Sequence, residues 1–118
     1  MEHNYTVSRN GIPSPAEYTE MLKAAYAAIK RGDPDAMVIS AGMAPTSRWD
    51  DVAMPDVEFV KGMYEAGAAP YFDVMAMQGY GLWSGPTERR MHPRVINYGR
   101  PQFVRDVMVA NGDANKPI

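Results

Sequence analysis

Phe72-Asp73-Val74-Met75-Ala76-Met77-Gln78-Gly79-Tyr80-Gly81-Leu82-Trp83 is the stretch on which the reading of the fold turns. Its first half is a near-continuous apolar run, the pattern of a strand buried on both faces of a parallel sheet. Its second half breaks into an amide, two glycines and two aromatics. Ligands of parallel α/β proteins bind at the C-terminal ends of the strands. Gln78, Tyr80 and Trp83 are therefore candidate substrate-binding residues. An aromatic face fits the apolar C–H face of a sugar ring; the same two rings also read as half-buried cover for the sheet's end. Gln78 either satisfies a backbone group or hydrogen-bonds a substrate hydroxyl.

Outward from this run the chain repeats one unit. On its N-terminal side, Ser14-Pro15-Ala16-Glu17 is a capping box with proline at the first helical position. Tyr18, Met21, Leu22, Ala25 and Ile29 follow at helical spacing and predict one apolar face, closed by Gly32 and Pro34. Residues 36–43 are a short apolar run bounded by turn signals, a second strand. The polar loop after it carries Trp49, a further candidate for substrate contact or a local packing plug. A helix is expected over residues 55–66, with Val57, Val60, Met63 and Tyr64 inward and Gly67 closing it. A third starts at Pro101, buries Phe103, Val104, Val107 and Met108, and ends near Gly112. Residues 78–100 form a long connection of the kind that is functional or disordered. Helix, strand, helix, strand, helix predicts an α/β fold of βα repeats around a parallel sheet. Both ends fall where a strand is expected, so residues 1–118 read as a single partial domain, truncated at each end.

Composition narrows the chemistry. A chain of 118 residues with net charge −2 has no basic footprint for nucleic acid or for an anionic membrane. The absence of cysteine excludes disulfides, thiolate zinc sites and a cysteine nucleophile. No apolar run is long enough to span a bilayer, and no signal-peptide core is visible. The ten methionines read as gap-filling hydrophobes rather than a metal set. His3 and His92 are too isolated for a metal site, and no dinucleotide, phosphate-loop, nucleophile-elbow or zincin motif occurs. No cofactor or metal is expected.

Pro13-Ser14-Pro15-Ala16-Glu17-Tyr18, the helix running to Asp33-Pro34-Asp35-Ala36, and the strand ending Ser40-Ala41-Gly42 together resemble the middle of a retaining glycoside hydrolase barrel. The clan is the one whose fourth and seventh strands each deliver a glutamate, and the nearest look is to β-xylosidase-like and cellulase-like members. The resemblance implies a partial (β/α)8 (TIM) barrel, about half of one, running from the end of strand 4 to just before strand 7. The fourth strand of that family ends Asn-Glu-Pro-Asn. Met1-Glu2-His3-Asn4 places Glu2 at the acid/base position and Asn4 at the last asparagine, with Met1 and His3 departing from the pattern. Glu2 beside Met1 also reads as a solvated terminal charge. The sixth strand typically ends His-x-Tyr, matched by Gln78-Gly79-Tyr80 with glutamine for histidine. Lys116-Pro117-Ile118 resembles the lead into the seventh strand, whose nucleophilic glutamate would follow. Members of the family are often secreted.

Retaining hydrolysis needs two carboxyl groups about 5 Å apart. Apart from Glu2, the acidic residues fall on helices, or at the opposite end of the strands (Asp33, Asp35, Asp73, Asp113), or in loops where no spacing pairs them with Glu2 (Asp50, Asp51, Glu88). The expected function is therefore that of a fragment of a glycoside hydrolase acting on β-linked plant-type polysaccharide or oligosaccharide, inactive alone. The alternative is a non-catalytic module that binds carbohydrate through Trp49, Tyr80 and Trp83, or that self-associates. Unpaired strand edges seek partners, here a second copy or the rest of the barrel.

Overall fold

The computed structural model describes residues 11–118. Among these residues three helices, α1 (Pro15–Gly32), α2 (Asp56–Glu65) and α3 (Pro101–Ala110), enclose one core, with a single 3₁₀ turn at Ala69–Tyr71. Ser14 caps α1 by accepting the Glu17 N–H at 3.2 Å, with Pro15 in the first turn. The inner face of α1 is narrower than its spacing predicts. Tyr18, Thr19 and Leu22 are buried, whereas Met21, Ala25 and Ile29 face solvent. Gly32 stays helical, and extended Asp33 ends the helix by donating its N–H to Ile29.

Helices α2 and α3 share one terminator. Gly67 and Gly112 both take φ of +84°, the left-handed conformation that glycine adopts without a Cβ penalty. Ala68 N–H returns to the Met63 carbonyl and Asp113 N–H to that of Met108, the six-to-one bond of a Schellman cap. Helix α2 packs against both other helices. It contributes Phe59, Val60, Met63 and Tyr64 to a core shared with Tyr18 and Leu22 of α1 and with Val104, Val107 and Met108 of α3. Phe72 and Met75 are buried in the same cluster.

The expected parallel sheet is not formed. Among the described residues there is no continuous strand and no sheet, only isolated bridges, so the partial barrel is corrected to a small helix-dominated domain. Residues 36–43 and 72–78 do run alongside each other in parallel, touching at Ile39 with Val74 and at Met43 with Met77. Side chains interrupt the ladder before and between those points. Val38 N–H donates to the Asp73 carboxylate at 2.7 Å, Ala41 N–H to the Tyr18 hydroxyl at 2.7 Å, and Ala76 N–H to Ser40 Oγ at 2.9 Å. Each takes a backbone donor that a regular strand pair would spend on a carbonyl, and the backbone remains satisfied without a ladder. Nor are these segments buried on both faces. Val38, Ser40 and Met43 point inward while Met37 and Ile39 are exposed, and of residues 72–77 only Phe72 and Met75 are fully buried.

Candidate functional site

The two extended segments finish side by side. Met43 N–H donates to the Ala76 carbonyl, and Gln78 N–H donates to that of Met43 at 3.0 Å. Gln78 Cγ and Nε2 lie beside Gly42, where even a Cβ would meet them at ordinary van der Waals distance. Gln78 Oε1 is buried and has no hydrogen-bond partner. A buried acceptor without a donor costs about 1–3 kcal/mol, so an orphan of this kind is a place where a ligand donor is favoured.

Beyond Gln78 the chain makes a constrained turn. Gly81 sits beneath Tyr98 so closely that a Cβ there would lie 2.3 Å from the ring. Leu82 has φ of +46° and is the one described non-glycine residue with positive φ, a conformation that costs an L-residue about 1–2 kcal/mol. The turn is held by Ser84, whose N–H and hydroxyl both donate to the Gly81 carbonyl, the hydroxyl also reaching that of Ile96. The outcome is that Trp83 is wholly exposed and Tyr80 about 41% exposed. Backbone strain held by surrounding contacts is a mark of functional turns. Tyr98 has no counterpart in the sequence reading. Only its contact with Gly81 reveals it, and a lone tyrosine in a long connection carries no periodic signal.

Trp49 is elsewhere. It lines a cavity of about 620 Å³ between α2 and α3, which Gln78, Tyr80 and Trp83 do not line. Glu2 and Asn4 lie outside the described residues. The structure thus brings Gln78, Tyr80 and Trp83 onto one short loop, adds Tyr98, and separates Trp49 from them.

Arg100 was also not visible as a key residue from spacing. Its buried guanidinium pairs with the buried Asp56 carboxylate and donates to the carbonyls of Pro93, Val95 and Thr46. The only sequence hint was that both residues flank prolines at helix starts. Arg100 ties the two loops at this end of the molecule to α2 and α3.

Two of the loop carboxylates, Asp50 and Glu88, are committed. Asp50 is held below its ordinary range by the Val52 N–H and by Arg48, and Glu88 is lowered chiefly by Arg90. Both are ionised at neutral pH and poorly suited to donate a proton. Among the described residues no three His, Asp or Glu side chains gather into a metal-ligand set. Comparison with protein-family models, with curated proteins and with solved structures finds no match to this chain.

Proposed function

We propose that this chain serves a glycoside hydrolase, contributing the sugar-binding side of a site for β-linked plant-type oligosaccharide or polysaccharide. The observation that carries the reading is the buried, unpaired Oε1 of Gln78 next to a turn that holds Trp83 in solvent. With the Gln78 side chain turned outward, a sugar hydroxyl donates to Oε1 and the pyranose C–H face lies on the Trp83 indole, the pairing of polar and apolar contacts a sugar ring requires. Glu2 takes the general acid/base role in this reading, with the second carboxyl group supplied from outside the described residues. Calorimetric titration with xylohexaose and cellohexaose tests the binding. Saturable binding of one of them, weakened in Gln78→Ala and Trp83→Ala, is expected. No binding of either overturns the reading.

One observation favours a non-catalytic carbohydrate-binding role instead: the carboxylates of Asp50 and Glu88 are already engaged by arginines. In the intact parent protein, where the second carboxyl group is supplied, turnover of aryl β-xyloside or β-glucoside that disappears in Glu2→Gln selects the hydrolase reading. Binding with no turnover selects the module.

A further inference from the structure

The cavity that took Trp49 away from the sugar-binding loop has a character of its own. At about 620 Å³ it lies within the range of small-molecule sites, roughly 300–1,000 Å³. Its walls are apolar and partly aromatic: Trp49 and Pro55 from the loop before α2, Val57 from α2, and Phe103 and Val107 from α3. Trp49 is 66% exposed, an indole left on the rim rather than packed as a plug.

The charges around it are unequal in availability. Lys61 is paired with Glu58 at 2.7 Å, Asp106 accepts from Gln102, and Arg100 is consumed by Asp56 and three carbonyls. Arg94 is different. Its backbone N–H bonds His92, but its exposed guanidinium has no ion pair or hydrogen bond among the described residues. Ser47 adds a hydroxyl to the lining. One cation that is free among the described residues, beside an apolar, aromatic-walled cavity, selects an apolar ligand with one anionic group. A guanidinium grips a carboxylate through two parallel N–H bonds. The carboxylates of Glu58 and Asp106, which also line the cavity, repel a second negative charge.

We propose that this cavity binds a planar aromatic monocarboxylate, its rings against Trp49 and Phe103 and its carboxylate on Arg94. The site is separate from the Gln78 loop and stands whether or not that loop binds sugar.

Titration of the intact chain with naphthoate, naphthamide and naphthalene dicarboxylate, followed by calorimetry, tests it. Naphthoate is expected to saturate a single site and to bind about tenfold more tightly than the amide, the worth of one charge-assisted contact. The dicarboxylate is expected to bind less well than the monoacid. Arg94→Gln should bring naphthoate down to the level of the amide and leave the amide unchanged. Ala110→Phe should fill the cavity and abolish both. Intermolecular NOEs from the naphthyl protons to Val107 methyls locate the ring without any variant. Absence of saturable naphthoate binding, equal affinity for acid and amide, insensitivity to Arg94→Gln, or NOEs that miss Val107 would each overturn the proposal.

Discussion

Arg100 and Asp56, 44 positions apart, meet in a fully buried pair in which Nε lies 3.0 and 2.9 Å from the two carboxylate oxygens. The four remaining guanidinium N–H groups reach the Pro93, Val95 and Thr46 carbonyls and, from Nη2, the Asp56 carboxylate again, so all five N–H groups of the arginine are used. The pair therefore joins the start of α2 to the start of α3 and fastens one loop to each.

Removing one partner of such a pair leaves a charge buried with nothing to balance it, at a cost of about 3–5 kcal/mol. Arg100→Met is expected to lower the urea-unfolding free energy by that amount. The double variant Arg100→Met/Asp56→Leu should recover a large part of it, because the orphan charge is gone. A loss under about 1 kcal/mol for Arg100→Met, the scale of an exposed pair, would show that the pair is not the fastening it is taken to be.

Tyr18 gives a milder test of the interrupted strand pairing. Its hydroxyl accepts the Ala41 N–H, and burial raises its pKa despite that backbone hydrogen bond. Tyr18→Phe keeps the ring against Phe59 and strips the acceptor from Ala41. The expected cost is about 1 kcal/mol, together with faster hydrogen exchange at the Ala41 amide. Unchanged exchange there would mean that the amide had found another partner.

The helices were legible because their signals are local. Ser14, Pro15 and Glu17 start α1, and Gly67 and Gly112 stop α2 and α3, all within a turn of the residue concerned. The sheet was misread because its fate rests on contacts far apart in sequence. Nothing around Ala76 announces that its N–H goes to Ser40 Oγ, 36 residues away. The apolar run at residues 72–77 is the same whether a ladder forms or is intercepted. The candidate site was legible to the same extent. Gln78, Tyr80 and Trp83 are neighbours in the chain and stay together, whereas Trp49, Tyr98 and Arg100 take their places through tertiary contacts.

Acid stability depends on Asp73. Its carboxylate accepts the Val38 N–H and pairs with Lys30 at 3.1 Å, and these hold its pKa below the ordinary carboxylate value, the backbone bond being the larger cause. A depressed native pKa adds stability that is present above the unfolded-state value of about 3.9 and is lost as pH falls through the native one. The urea midpoint should therefore fall on acidification below about pH 4, and Asp73→Asn should be less stable at neutral pH with a flatter profile in that window. An identical acid slope in the variant would assign the loss to other carboxylates.

The turn that displays Trp83 can be disturbed without touching the indole. A methyl group at Gly81 would sit 2.3 Å from Tyr98 Cε2 and 3.0 Å from the Ser84 carbonyl, so the ring or the turn must move. Gly81→Ala is expected to weaken oligosaccharide binding roughly two- to tenfold, the range of a single aromatic contact of about 0.5–1.5 kcal/mol. Tyr98→Ala in the same chain removes the ring collision but leaves the Ser84 carbonyl close, so the double variant should recover part of the loss if Tyr98 acts only by forcing the turn. If Tyr98 itself touches the sugar, the double variant binds more weakly than Gly81→Ala alone. Calorimetry on the four chains of this cycle separates the two roles. Undiminished binding by Gly81→Ala would detach the turn's geometry from recognition altogether.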